Sequence, residues 1–105
     1  MVNVDQVVRG ACGYFENEIC RKATGVAKFG AYFMLPMLPQ KVNDLMAAYA
    51  ASPLFSSIFR DGQIDLELAR DYAREAMRQC GSLDVMGFRL DSTDVDSLYE
   101  YIRRA

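Results

Sequence analysis

Hydrophobic residues recur every three or four positions over most of the chain, which is the spacing of one face of an α-helix. The first such face is formed by Val4, Val8, Ala11, Phe15 and Ile19. Asn3 is placed to cap this helix, and Gln6 lies three residues later, where it would complete a capping box. Gly25 is placed to end this helix. Gly10 and Gly13 inside the helix predict either close packing against a neighbouring element or a local weakness.

The middle of the chain continues with helical segments that prolines interrupt. Residues 26–35 are apolar on almost every side, which predicts either a buried central helix or an unusually apolar surface, and Pro36 and Pro39 follow. The next helical face consists of Leu38, Val42, Leu45, Met46 and Tyr49. Pro53 is placed to begin a short helix, whose apolar side would be Leu54, Phe55, Ile58 and Phe59.

The last third of the chain predicts two further helices with a small β-hairpin between them. Asp65 is a candidate cap for a long helix reaching Gln79, with Ala69, Tyr72, Ala76 and Cys80 facing inward. Leu83, Val85, Phe88 and Leu90 then follow a strand-like alternation that predicts a turn near Met86-Gly87. Asp91 begins the final helix, whose core face is Val95, Leu98, Tyr99 and Ile102. The pattern indicates a mainly α (α+β) fold of about five short helices, with the hairpin before the C-terminal helix.

Composition narrows the function more than the helical pattern does. A length of 105 residues predicts a single globular domain over residues 1–105, and 51% hydrophobic residues can form a core. Twelve basic and fourteen acidic residues give a net charge of -2, so the whole-chain charge does not favour nucleic acid or an anionic membrane. The apolar segments of the chain are shorter than a transmembrane span. The chain also has no histidine, which is a frequent catalytic base and metal ligand, and we therefore expect no catalytic site, no metal and no cofactor.

The cysteines and a glycine turn each raise one chemical alternative. Cys12, Cys20 and Cys80 are too few for a disulfide framework and lack the short spacing of a zinc site. They are expected to be small core residues in a reducing compartment, which together with the polar start of the chain predicts a cytoplasmic protein. Aligning Gly62 with the glycine of a calcium loop puts Phe59 where an oxygen ligand is needed, so calcium binding is not expected.

A run rich in methionine and aromatic residues carries the main functional hypothesis. In the simplest interpretation this run forms the domain core. In the alternative it forms an adaptable binding surface, where these residue types are enriched. Insertion into a membrane surface is a third alternative, which is weakened because Lys28 is the one nearby cation. The segment predicts a non-enzymatic protein-interaction or self-associating module, forming a two-fold dimer. The candidate partner-binding residues are Tyr32, Phe33, Met34, Met37 and Leu38.

The alternative function is a small nucleic-acid-binding or regulatory protein. Arg70, Arg74 and Arg78 recur every four residues along the predicted long helix and could meet phosphates. The acidic residues interleaved with them also fit a salt-bridged solvent face.

The C-terminal part of the chain carries a resemblance. The stretch GFRLDSTDVDSLYEYI at residues 87–102, together with the upstream Ile64-Asp65-Leu66, resembles the tails of short bacterial proteins of unknown function, some of them prophage-encoded. The resemblance covers about the last 40 residues, and its motifs are caps and core positions. It implies a bacterial origin and a small α-rich domain, and it assigns no functional residue.

Overall fold

The computed structural model describes residues 1–85 and 88–105, and in these the chain forms α-helices with two small antiparallel sheets. The elements in order are β1 (Val2–Asn3), α1 (Val4–Tyr14), a π-helical segment (Phe15–Cys20), α2 (Val26–Met34), a 3-10 turn (Leu35–Met37), α3 (Leu38–Ala51), a second 3-10 turn (Pro53–Phe55), β2 (Phe59–Arg60), β3 (Gln63–Ile64), α4 (Leu66–Cys80), β4 (Leu83–Val85), β5 (Phe88–Leu90) and α5 (Ser92–Arg104). The predicted mainly α fold with a small β part is confirmed.

The contact between α1 and α5 is the most extensive between two helices. A Cβ atom built on Gly10 would lie 2.7 Å from the backbone nitrogen of Ile102, so the two helices touch backbone to backbone. Gln6 strengthens this contact, because its side-chain Nε2 donates a hydrogen bond of 3.0 Å to the carbonyl oxygen of Ile102. The close packing predicted at Gly10 is therefore confirmed.

The start of α1 is capped as predicted, and its buried side is wider than the predicted face. The Asn3 side chain accepts a hydrogen bond of 2.8 Å from the backbone of Gln6, whereas the Gln6 side chain crosses to α5 instead of completing a capping box. Val7 and Tyr14 are buried together with Gly10. The predicted face does pack against the core, with Phe15 buried and Val4, Val8, Ala11 and Ile19 partly buried. The close approach of α5 at Gly10 covers Val7 and Tyr14 as well, which spacing alone could not indicate.

The main core lies where α1, the π-helical segment, α2, α3 and α5 meet the three-stranded sheet. Its buried members are Val7, Phe15, Cys20, Ala31, Leu38, Val42, Ile58, Ile64 and Ile102. A smaller cluster of Met77, Leu90 and Val95 joins α4, β5 and α5. Met77 is thus the buried residue of α4, and two residues predicted to face inward, Tyr72 and Cys80, are exposed.

Three short strands pair in the order β1-β3-β2, with Ile64 opposite both Val2 and Phe59. The turn between β2 and β3 has positive φ at Asp61 and Gly62, 51° and 75°, as expected for a tight hairpin. The short helix predicted after Pro53 is wrong beyond one 3-10 turn, since Phe59 pairs as a strand. The pairing of Phe59 with Ile64 outweighs the helical spacing of Phe59 in the sequence.

The hairpin before the last helix is confirmed by the pairing of β4 with β5, in which Leu83 lies opposite Leu90. Its predicted turn at Met86-Gly87 lies outside the described residues. Asp91 and Asp94 then form a reciprocal capping box at the start of α5, with bonds of 3.0 Å in each direction. In the part of the chain that the structure describes, no helix is both long enough and apolar enough to cross a bilayer.

Candidate functional site

The second helix has two apolar sides, and only one of them meets the core. Ala31, Met34 and Leu35 pack inward, with Ala31 almost fully covered. The opposite side, which we call the α2 outer face, consists of Val26, Phe29, Phe33 and Met37 at spacings of three and four residues. The continuation through the 3-10 turn keeps Met37 close to the line of the other three.

The α2 outer face is strongly exposed. Val26 retains 87% of its possible accessible surface, Phe29 80%, Phe33 76% and Met37 43%. Together these side chains present about 500 Å² of apolar surface, which lies at the upper end for the largest patch on an ordinary monomer. Large patches of this kind often mark a binding site.

The borders of the α2 outer face carry little charge. Lys28 is the single charged residue of α2, and Tyr32 lies on the flank with part of its ring exposed. The next acidic group along the chain after Glu18 is Asp44 on α3. The surface therefore offers shape and apolar area to a partner, and little that would select a charged one.

Gly30 lies at the edge of the α2 outer face, next to Val26 and Phe33. A Cβ atom placed there would have nothing within 4 Å, in contrast to Gly10, where the neighbouring helix leaves no room. A glycine inside a helix lowers its stability by about 1 kcal/mol relative to alanine. Packing among residues 1–85 and 88–105 does not require glycine at position 30.

The start of α2 is also weakly supported. Gly25 precedes the helix with φ 60° and ψ -139°, a conformation available mainly to glycine, and it supplies no side-chain cap. Helices shorter than about 12 residues are marginal without tertiary packing. The nine residues of α2 therefore depend on their contacts, and one apolar side is left largely exposed.

The structure divides the residues that the sequence proposed for partner binding. Phe33, Met37 and Tyr32 are exposed and share the α2 surface, and Met34 is half-buried against the core. Leu38 is only 2% exposed and belongs to the core, so it does not lie on this surface. Leu38 begins α3 and lies seven residues after the buried Ala31, which is the spacing of the same, inward side of a helix.

Sequence reasoning missed Val26 and Phe29. The signal was available, because both continue the stripe of Phe33 at helical spacing. The run of methionine and aromatic residues is densest near the prolines, so the sequence predicted the binding surface there. The burial of the inward side, which identifies the outer one, became visible only in three dimensions.

The three arginines proposed as a nucleic-acid face are each engaged with neighbouring groups. Their partners are Asp71 and the ring of Tyr99 for Arg70, Asp96 for Arg74 and Glu75 for Arg78. Arg74 donates to one carboxylate oxygen of Asp96 from both Nε and Nη2, at 3.0 and 2.6 Å. These contacts pair each positive charge locally, and they fit the salt-bridged solvent face.

A cluster of tyrosines and carboxylates joins the end of α1 to α5. The Tyr14 hydroxyl donates a hydrogen bond of 2.7 Å to Asp94, and the Tyr101 hydroxyl donates one of 3.2 Å to Glu18. The two rings meet edge to face with centroids 5.8 Å apart. Lys22 completes the cluster with an ion pair of 2.5 Å to Glu18.

Electrostatics hold this cluster in its resting protonation states. Burial, followed by the hydrogen bond to Asp94, raises the pKa of Tyr14 far above its usual value. The pKa of Asp94 is lowered, first by the hydrogen bond from the backbone of Asp91 and then by that from Tyr14. At neutral pH the phenol keeps its proton and the carboxylate stays ionised. The pair is suited to joining two helices rather than to transferring protons.

The thiols and the available grooves point to no particular reaction. Burial raises the pKa of the Cys12 and Cys20 thiols, which disfavours the reactive thiolate. Groups of three or more metal-ligating side chains are absent from residues 1–85 and 88–105. A groove of about 790 Å³ between α1 and α5 is lined by both signs of charge, such as Arg9 and Glu100, and so selects no ligand class.

No protein-family model, curated protein or solved structure matches the chain. The resemblance of residues 87–102 to short bacterial proteins therefore stays a prediction.

Proposed function

We propose that the protein is a non-enzymatic protein-interaction module whose binding surface is the α2 outer face. The observation that supports this is the exposure of Val26, Phe29 and Phe33, each by more than three-quarters. Burying apolar surface of this size against a partner is favourable by the same effect that forms the core. A helix that presents anchors at spacings of three and four residues is a common recognition element.

The non-enzymatic part of the proposal is supported by the polar cluster between α1 and α5. Tyr14 and Asp94 bring two titratable groups together, but each is held away from the pKa range useful for proton transfer near neutral pH. The free thiols Cys12, Cys20 and Cys80 fit a reducing compartment, and we place the protein in the bacterial cytoplasm on that ground and on its resemblance.

Site-specific photocrosslinking tests whether the α2 outer face meets a protein. A photoreactive phenylalanine analogue replaces Phe33 in one sample and Glu67, an exposed residue of α4, in the matched control. Both proteins are irradiated pure at high concentration and again in a bacterial lysate. We expect discrete protein adducts from position 33 that position 67 does not give.

The adducts are identified by mass spectrometry, so that a second copy of the chain and a different protein are told apart. Equal adduct patterns from the two positions, or none from either, would contradict the proposed function. The nucleic-acid alternative is read in the same lysate, because crosslinks to RNA or DNA from a probe at Arg74 would support it instead. No observation in the structure favours that alternative, since Arg74 is paired with Asp96.

A further inference from the structure

The occupant of the α2 outer face can be specified from the shape of the face itself. We infer that it is a second copy of this chain, whose α2 packs against the first about a two-fold axis passing beside Gly30. This inference rests on the proposed function, because it uses the same surface. It adds the identity of the partner and the point at which the helices cross.

The first argument is the position of Gly30. Gly30 lies four residues after Val26 and three before Phe33, so it adjoins both on the exposed side of the helix. Glycine allows the closest approach of another backbone, as Gly10 shows in this molecule, where α5 uses the space. The corresponding space at Gly30 is empty, and a second helix crossing there would use it.

The second argument is self-complementarity. A two-fold interface brings the same patch of both subunits together, so any charge on the axis would meet its own like. The α2 outer face carries none, and Lys28 lies on a different side of the helix. The large side chains of Phe29 and Phe33 beside the gap at Gly30 also give the surface both a ridge and a hollow.

The third argument is area. With the exposed part of Tyr32, each copy offers about 600 Å² of side-chain surface, against about 800 Å² per partner in a standard interface. A dimer that covered all of this surface would bury roughly 1,200 Å² in total, which is at the small end of the range for a specific complex. We therefore expect the dimer to be reversible.

The fourth argument is the weakness of α2 on its own. The helix is nine residues long, begins at an uncapped Gly25 and contains Gly30. Packing against a second copy would cover Phe29 and Phe33 and support the helix from the side that the core leaves open. Association and ordering of α2 would then reinforce each other.

Sedimentation velocity on the full chain, from about 1 μM to 500 μM, tests the inference. We compare the parent with Phe33→Asp and with Gly30→Ala, and use Leu54→Asp as the matched control, since Leu54 is as exposed as Phe29 but follows α3. The parent and the control should dimerise equally. Phe33→Asp should weaken the dimer by at least a hundredfold and Gly30→Ala by about tenfold.

Gly30→Ala distinguishes a crossing point from general stickiness. Alanine favours the helix itself, so at low concentration the melting temperature of the monomer should not fall, even though the dimer is weaker. Raising the NaCl concentration from about 50 mM to about 500 mM should leave the dimer as strong or stronger, because its contact is apolar. Circular dichroism checks that each variant keeps the helical content of the parent.

The outcomes separate this inference from the proposed function. A parent that stays monomeric to 500 μM, yet crosslinks from position 33 to another protein, overturns the dimer and leaves the interaction module standing. A monomer without crosslinks overturns both. A dimer that Phe33→Asp and Gly30→Ala leave intact shows that a different surface is used. Co-sedimentation of the monomer with phosphatidylcholine vesicles, lost in Phe33→Asp, would assign the face to a membrane surface and overturn the dimer.

Discussion

At the scale of single residues, the polar cluster between α1 and α5 shows how a few groups fix one helix on another. Tyr14 is buried, yet its hydroxyl is satisfied by Asp94, which at the same time caps α5 through Asp91. One carboxylate thus serves a helix start and a contact between helices. A buried hydroxyl without this partner would cost free energy.

Replacing Tyr14 with phenylalanine removes that bond and leaves the ring in place. We expect Tyr14→Phe to lower the free energy of unfolding by about 1.5 kcal/mol at pH 7, since the acceptor is charged. Chemical denaturation followed by circular dichroism measures this difference. Tyr101→Phe is the matched control and should cost less, because its acceptor Glu18 is partly exposed and keeps its bond to Lys22.

The pH dependence of Tyr14→Phe follows from the two pKa shifts. The lowered pKa of folded Asp94 gives stability that is present above about pH 4 and is lost as pH falls through the folded value. The raised pKa of Tyr14 gives stability that is present below about pH 10 and is lost as pH rises further. The difference in the free energy of unfolding between the parent and Tyr14→Phe should therefore become smaller at both low and high pH. A difference that stays constant from about pH 3 to pH 11 would show that the bond does not couple to titration.

At the scale of elements, the helices differ in how firmly they are held. The last helix has a reciprocal cap, cations in its last turn and a buried face on two neighbours. The second helix has no side-chain cap and packs chiefly on the segments that flank it in the chain. Local stability should follow this difference, because opening α2 breaks few contacts.

Hydrogen exchange compares α2 and α5 directly. At about 5 μM, we expect amides in α2 to exchange at least tenfold faster than those in α5. At about 500 μM, the exchange of α2 should slow while that of α5 stays the same, if the second copy covers the outer face. Phe33→Asp supplies the control, since its α2 should exchange rapidly at both concentrations. Uniform protection of the two helices at 5 μM would contradict the ranking.

The sequence predicted the elements that rest on local signals and failed where distant parts of the chain decide. Asp65 and Asp91 cap α4 and α5 as expected, because a cap needs only the next three residues. The strand at Phe59 could not be predicted, since two residues show no alternation and pair only because Ile64 returns beside them. For the candidate surface, the sequence indicated an apolar segment, but the exposed side follows from which residues the core covers.

At the scale of the whole molecule, the contact between α1 and α5 closes the main core. Ile102 belongs to the same buried cluster as Val7 and Phe15, so the last helix completes a core that the first one begins. The backbones touch at Gly10, where no side chain can be accommodated without displacement. The stability of the entire fold therefore depends on glycine at this position, since its side chain is a single hydrogen atom.

Gly10→Ala tests that dependence. The added methyl group would overlap the backbone of Ile102, so we expect the free energy of unfolding to fall by about 3 kcal/mol, although alanine favours the helix itself. Gly13→Ala is the matched control one turn later, where a Cβ would lie 3.5 Å from the Tyr101 ring in ordinary contact. Thermal melting of both variants at equal concentration measures the difference. Equal melting temperatures would mean that α5 moves aside without cost.

The joining of α1 to α5 also sets the order in which this protein can assemble during synthesis. α1 leaves the ribosome before α5, and Ile102, against which Gly10 packs, is made 92 residues after Gly10. Until then the buried side of α1, with Val7 and Tyr14, has no α5 to cover it. Closing so long a loop is slow compared with forming local helices. In the nascent chain, the buried side of α1 must therefore stay out of non-native contacts until α5 has emerged from the ribosome.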